Sequence, residues 1–449
     1  MRHASTVGAL VCCALVSGPL RAQGGARSLT LDQAQALALQ HNTGLAAVRK
    51  QVEEAQRKSA IASSYYLPRV QTQGLYLASN NTQGILVPRG SLGYFADFGG
   101  VFPPTDRNIT QGGPDLFFAL TTVVQPVTQY FKIREGVGAA HADEDAGRAG
   151  LRKAEQDVAF GVLQAYAGVL IATRHRDVAR ERVAADSMRV ADQVAAVQSG
   201  SANAIVAQEA RVQLLQGRQE LLAAEGEYDD VSYALTDATG LPPGTALALE
   251  VPPPEPAQPA SSSVDYVESA LRSNPDVLEA KALVDKTTHG VRAAKAEYIP
   301  DVGVVGGNLY QSSVPFFPRS TFAIGAQGSW TILDFGARRD AVEVSKAQLG
   351  QAQLNFDRVK GRVRGEVESA YRRVTRAQQT VELATEAVAL GTEASRLGTA
   401  AASAGYALAT RARAANADRL EAEMNLLKAQ LGYRVALAEL EKAAGTLKP

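Results

Sequence analysis

The sequence predicts a mainly α-helical chain in which one unit, long helices plus two β-strands able to join a transmembrane β-barrel, is written twice. Three observations carry this. Residue patterns recur at fixed offsets between the two halves of the 449 residues. Two stretches of more than a hundred residues contain no proline. Four segments of about ten residues intersperse apolar and polar positions as strands do.

The N-terminus comes first. Arg2 and His3 precede an apolar stretch from Val7 to Val16, and Ser17 to Ala22 ends in small residues. Residues 1–22 therefore read as a secretory signal, with cleavage expected after Ala22. Both cysteines, Cys12 and Cys13, lie inside it, so the mature chain is expected to have no disulfide and no thiol metal site. A lipid-anchoring cysteine is the alternative. It requires a small residue just before the Cys, whereas Val11 precedes Cys12.

Charge excludes one class of partner. The chain carries 46 basic and 46 acidic residues, and loses only Arg2 and Arg21 with the signal. No basic patch is left for nucleic acid. The best apolar run, Phe160 to Thr173, is interrupted by Gln164 and would reach only ~21 Å as a helix, too short to span a bilayer.

The duplication is explicit. Asn42, Tyr66 and Pro68 recur 232 positions later as Asn274, Tyr298 and Pro300. Tyr166, Gly200, Tyr228 and Gly240 recur 205 positions later as Tyr371, Gly405, Tyr433 and Gly445. The offset drops because the first copy has a longer Gly/Pro/Asn-rich loop, placed at 79–115. The expected organisation is a first repeat at 23–240, a Pro-rich linker at 241–263 containing Pro252-Pro253-Pro254, and a second repeat at 264–449.

No proline falls between Pro126 and Pro242 or between Pro318 and Pro449, where one would cost a helix ~3 kcal/mol. Continuous helices are expected over 132–199 and 337–404, each roughly 102 Å long. Shorter ones are expected over 30–64, 201–240, 264–297 and 406–445. Apolar positions form narrow seams, such as Val158, Val162, Ala165 and Val169, so each rod touches neighbours on two sides and keeps two faces wet. An antiparallel coiled coil would show the same pattern.

Strands are expected at 67–77, 116–127, 301–310 and 321–333. In the last, Phe322, Ile324, Ala326, Gly328, Trp330 and Ile332 alternate with Thr321, Ala323, Gly325, Gln327, Ser329 and Thr331. Ten tilted residues cross a bilayer, and Tyr66, Tyr130, Tyr298, Trp330 and Phe335 sit near strand ends as membrane-interface aromatics do. Four strands cannot close a barrel, and open edges in lipid are costly, so this reading demands oligomerisation. The competing reading is a soluble sheet capping a helical stalk.

Taken together, Leu31-Asp32 with Ala38-Leu39 and Asn42, Ala270-Leu271 with Asn274-Pro275, and Trp330 to Arg338 (WTILDFGAR) resemble the TolC-like outer membrane efflux protein family over essentially the whole mature chain. Gln125 to Tyr130 is the looser first-copy counterpart of the last motif. The resemblance implies a homotrimer, with a 12-stranded outer-membrane β-barrel on a 12-helix periplasmic α-barrel and an equatorial belt. It implies a passive tunnel exporting substrates, small molecules being the expected cargo. It also implies a periplasmic adaptor (membrane fusion) protein and an inner-membrane RND-type or ABC-type transporter as partners. The turns at Ser199, Gly200 and Ser201 and at Gly405 and Tyr406 match the family's adaptor-docking tips. Asp186, Arg189, Asp192, Glu393 and Arg396 are candidates for the gate or entrance.

Chemistry is sparse. The histidines at 3, 41, 141, 175 and 289 form no HExxH pair, and no Walker loop or nucleophile elbow occurs. No catalytic, cofactor-binding or metal residue is assigned, and the acidic run beside His141 reads as a helix start. The alternatives to a channel are a structural or adhesive periplasmic stalk without a pore and, last, a periplasmic hydrolase or binding protein.

Overall fold

The computed structural model describes residues 27–80, 84–110, 114–253, 261–312, 317–405 and 409–448. The expected signal at 1–22 lies outside them. In chain order the elements are β1 (Arg27–Leu29), α1 (Leu31–His41), α2 (Thr43–Ser64), β2 (Arg69–Ala78), β3 (Gly84–Val87), β4 (Tyr94–Phe95), β5 (Gly100–Val101), β6 (Arg107–Thr110), β7 (Asp115–Pro126), α3 (Tyr130–Gln198), α4 (Ala204–Thr239), β8 (Leu247–Leu249), α5 (Ser263–Ser273), α6 (Pro275–Ala296), β9 (Asp301–Gln311), β10 (Ser320–Ser329), α7 (Ala337–Ser403) and α8 (Ala409–Ala443).

The rods α3 and α7 run 69 and 67 residues. The lead helices, expected as single pieces, are each broken once, at Asn42 and Asn274. The cause is local. Asn42 Oδ1 accepts the N–H of Leu45 at 2.8 Å, and Asn274 Oδ1 that of Asp276 at 2.9 Å, so each asparagine ends one helix and caps the next. Pro275 then fills the first helical position, where a missing N–H costs nothing.

Gly240 and Gly445 close α4 and α8 at the same φ of 70°. A Cβ on Gly445 would meet the Ser273 carbonyl oxygen at 2.6 Å and the Asn274 nitrogen at 2.7 Å. Gly445→Ala combines left-handed strain with a backbone clash and is expected to cost roughly 2–4 kcal/mol. Gly200→Ala, with nothing near its Cβ, is expected to cost about half as much. Thermal unfolding of the two variants in detergent checks the difference.

The helices form a curtain one layer thick. Near the sheet the order is α2, α3, α6, α7; towards the tips it is α4, α3, α8, α7. Two apolar clusters hold it, one centred on the first repeat but reaching Leu431 of α8, the other within the second repeat. Val162, Tyr166, Val169 and Leu235 in the first correspond to Val367, Tyr371, Val374 and Leu440 in or against the second, each 205 positions later. Ala34, Ala38 and Leu45 are buried, as are Tyr266, Ala270 and Val277 232 positions later. The chain's two halves thus pack by the same rule.

The main sheet has the order β2-β7-β9-β10, antiparallel throughout. β10 ends at Ser329, four residues short of the expected strand, because the chain turns there into the bracket described below. The 79–115 region is not a plain loop among its described residues. It forms two short ladders, β3 with β6 and β4 with β5. Within 241–263, β8 pairs in parallel with β1. Three-residue strands are too short for alternation to reveal.

Candidate functional site

The sheet's two faces differ. Cross-strand register places Val70, Tyr76, Phe117, Val123, Val302, Val304, Tyr310, Phe322, Ile324 and Ala326 on one face. Arg69, Gln71, Gln73, Gln311, Thr321 and Gln327 occupy the other, with Leu75, Leu77, Phe118 and Leu120 towards its outer end. Along β9, Val302, Val304 and Tyr310 are exposed while Gly303 and Gln311 are buried, Leu309 being the exposed exception on the second face. A Cβ at Gly303 would meet the Gln125 carbonyl oxygen at 3.1 Å, so space is tightest on the second face and the first is convex. Gly307 permits this coiling: a Cβ there would strike the Thr121 carbonyl oxygen at 2.6 Å. Polar groups on the convex face satisfy one another, Thr72 with Thr121 at 3.1 Å and Ser320 donating to Asn308 at 2.9 Å.

Neither face is covered. Every position of β2 and β10 is exposed, Ile324 by 73%. A soluble cap would bury one face on a core, and this sheet buries neither. An uncovered apolar convex face and a more polar concave one are what a barrel wall in lipid requires. β2 and β10 also leave their outer edges unpaired, which hydrocarbon does not tolerate.

Aromatic residues mark two levels. Tyr76, Phe117, Tyr310 and Phe322 lie at the outer end of the convex face, with the Phe117 and Tyr310 rings 6.0 Å apart. Alternation alone does not collect these four, because they come together only through register. Of the sequence-predicted set, Tyr66 and Tyr130 touch at 5.1 Å at the sheet's base, and Tyr298 lies under the Arg338 guanidinium at 5.5 Å. Trp330 and Phe335 stand exposed. Phe322 to Trp330 is eight residues, roughly 26 Å along a strand and about 20 Å of membrane depth at a barrel tilt, somewhat less than the ~25 Å apolar band of outer-membrane barrels.

The WTILDFGAR motif builds a bracket between β10 and α7. Asp334 accepts the backbone N–H groups of Gly336 and Arg338 at 3.2 and 3.3 Å, so its carboxylate caps the start of α7 from two residues before the N-cap, Gly336. The Arg338 side chain donates to the Asp334 carboxylate and to the Thr331 carbonyl. The Arg338 hydrogen bond holds the Asp334 carboxyl below its usual pKa. Phe335, between them, adopts φ 52° and is 92% exposed. A bulky non-glycine residue at positive φ is a true outlier.

At the far end, α3–α4 and α7–α8 reverse at Gly200 and Gly405, both with φ 75°. Ser199 and Ser201 tie the first tip, 2.9 Å apart and each donating to the Ala196 carbonyl at 3.0 Å. Tyr406 lies outside the described residues. Above the tips the two flanks of the curtain carry unpartnered apolar seams: Ile205, Val212, Leu215 and Leu222 on α4, and Leu383, Leu390 and Leu397 on α7.

The gate candidates separate into two groups. Asp186 lies 3.7 Å from Arg189, which donates to Gln213 of α4 at 2.7 Å. Glu393 and Arg396 pair within α7 at 2.7 Å, and that hydrogen bond lowers the Glu393 pKa. Asp192 sits on α3 near the first tip. The chain does not bring the α3 and α7 groups together. Two ion pairs that sequence reasoning missed join the two hairpins: Arg182 of α3 with Glu421 of α8 and, nearer the sheet, Asp157 of α3 with Lys442 of α8 at 2.6 Å. The first lies nearer the tips; its residues are 239 positions apart and belong to no motif. Its neighbours Arg180–Glu225 and Arg419–Glu423 are confined to single hairpins.

The family model described as "Outer membrane efflux protein" matches residues 34–241 and 266–446, one segment per repeat. The outer membrane efflux protein BepC of Brucella suis biovar 1 (strain 1330) is 26% identical over 383 residues, 82% of this chain and 74% of that protein. The CmeC outer membrane channel of Campylobacter jejuni superposes with a TM-score of 0.73 at 16% identity, covering 93% of this chain and 85% of that one. The outer membrane protein VceC of Vibrio cholerae gives 0.70 at 17% identity, covering 92% and 96%. The chain therefore belongs to the outer membrane efflux protein family: it is a transport protein of the outer membrane with a periplasmic extension, and not an enzyme.

Proposed function

We propose that three copies close flank to flank into a tunnel that passively carries small molecules, delivered through a periplasmic adaptor from an inner-membrane RND-type or ABC-type pump, across the outer membrane. One observation carries this reading. Each chain ends on one flank with β2, α2 and α4 and on the other with β10 and α7, and both flanks carry unpaired backbone or exposed apolar seams. Joining β10 of one copy to β2 of the next preserves the antiparallel ladder and sets the α7 leucines against the α4 seam. Twelve strands and a ring of twelve helices result, with Tyr66, Tyr130, Tyr298, Trp330 and Phe335 at the periplasmic-side interface of the outer membrane. Ser199, Gly200 and Ser201 with Gly405 and Tyr406 present the docking tips.

The test is mass and conductance of protein extracted from the outer membrane, measured in detergent and in planar bilayers. A conducting trimer is expected. A soluble or non-conducting particle would replace the tunnel with the structural or adhesive stalk.

In this reading Arg182–Glu421 straps the α3–α4 hairpin to α7–α8 and holds the periplasmic entrance narrow, with Asp186, Arg189, Asp192, Glu393 and Arg396 as neighbours at the entrance. Each half-exposed pair is worth about 0.5 kcal/mol, so three shift the opening equilibrium roughly tenfold. Arg182→Gln is expected to raise single-channel conductance or open time several-fold, and Glu421→Gln to match it without adding to it. Unchanged traces in both variants would remove the strap from the mechanism.

A further inference from the structure

The bracket between β10 and α7 reaches the end of α6, Arg338 stacking over the Tyr298 ring and donating to the Glu297 carbonyl at 3.4 Å, yet its own chain leaves the side chains it carries uncovered. It holds Trp330, Ile332, Leu333 and Phe335 outward, all of them more than half exposed. It does so with the Asp334 cap and the Arg338 guanidinium, while Phe335 sits in left-handed backbone. Backbone strain persists where surrounding structure over-determines it, and it clusters at sites that engage something else. An aromatic that merely floats at a lipid interface needs no such fixing.

A matching cavity lies on the opposite flank. Tyr65, Leu67, Pro68, Val124, Pro126 and Ile133 line a groove of about 780 Å³ at the base of β2. Tyr65 and Leu67 are exposed there, and the Arg69 guanidinium lies 5.8 Å from the Tyr65 ring. Strand direction fixes the relation between the two features. β10 runs down to Ser329 and β2 runs up from Arg69, so an antiparallel joint sets their bases side by side. The residues after β10 then fall beside the residues before β2 of the next copy, at the height of the groove.

Resting on the trimeric reading above, we infer that Phe335, backed by Leu333, is an inter-subunit knob that inserts into the Tyr65–Leu67–Ile133 groove of the neighbouring copy. It joins the barrel to the helical curtain at each of three seams. Asp334 and Arg338 are its positioning residues. The strained backbone is then supported by contacts that exist only in the closed ring.

The test uses the full chain with Cys12→Ser and Cys13→Ser, which removes every native thiol. Adding Phe335→Cys and Leu67→Cys together is expected to give a covalent trimer on mild oxidation, while either cysteine alone gives none. Val212→Cys with Leu390→Cys, on the α4 and α7 seams, reports ring closure independently. A trimer that crosslinks through 212–390 but not through 335–67 overturns the knob and leaves the tunnel standing. Absence of a trimer by mass overturns both. A second measurement separates knob from turn: the temperature at which the non-covalent trimer dissociates. If Phe335 were only a strained surface residue, Phe335→Gly would raise that temperature by relaxing the backbone. Docking predicts that Phe335→Gly and Phe335→Ala both lower it and that Phe335→Tyr restores it.

Discussion

Ile324→Arg is expected to stop the chain from accumulating as an outer-membrane trimer, while Gln327→Arg on the same strand leaves assembly intact. Ile324 lies midway along β10 on the convex face, opposite Gly306 and 73% exposed. An arginine on the lipid face near the midplane costs about 2–4 kcal/mol. Three copies multiply this to roughly 6–12 kcal/mol per ring, a large share of the net stability of an ordinary fold. Gln327 is on the concave face opposite Gly303, where a longer polar side chain meets water. Membrane fractionation with a heat-modifiability gel reads the outcome. Failure of Gln327→Arg instead would reverse the assignment of faces, and tolerance of both would take the sheet out of lipid.

Tyr166→Ala is expected to be the most damaging single change in the helical curtain. Tyr166 is fully buried, and its hydroxyl lies 2.8 Å from the Leu29 carbonyl and 2.7 Å from the Glu250 carbonyl, one beside each strand of the β1–β8 pair. Removing the ring opens a core cavity worth ~3–5 kcal/mol. Tyr166→Phe isolates the hydroxyl and should cost about 1–2 kcal/mol, because the one phenolic proton shared between the two carbonyls is lost. Its repeat counterpart, Tyr371, is only half-buried and packs against the Tyr266 ring at 6.4 Å. Tyr371→Phe is expected to cost less than ~0.5 kcal/mol. Chemical denaturation of the four proteins in one detergent tests the asymmetry.

What could be read from residues alone depended on distance along the chain. The rods were legible because proline exclusion and narrow seams act within a few turns. The strands were legible because alternation is local, although β10 stops at Ser329, where the Asp334–Arg338 bracket and not hydropathy ends it. The breaks at Asn42 and Asn274 each rest on one capping side chain, a signal that the longer helical pattern around it masks. β1 and β8 offer three residues each, below any periodic signal. The outer aromatic level needed register, since Tyr76 and Phe117 become neighbours only when β2 and β7 pair. The Arg182–Glu421 strap needed the fold itself, because two charges on separate rods resemble every other solvated charge.

The two flanks of the curtain are different surfaces, and that restricts how copies can associate. A twofold dimer would have to mate β2 with β2 or β10 with β10, leaving another edge bare. In the ring proposed above, the joint between β10 and β2 is heterologous: each added copy repeats the same rotation and offers the same free edge again. Such a series ends only if the rotation closes, and otherwise continues as a helical ribbon. In that ring the coiling that Gly307 permits in β9 bears on the copy number as well as the shape of one sheet. A variant that flattens the sheet, such as Gly307→Val, is expected to give open-ended polymers of folded chains instead of smaller complexes, a difference that particle mass in detergent reads.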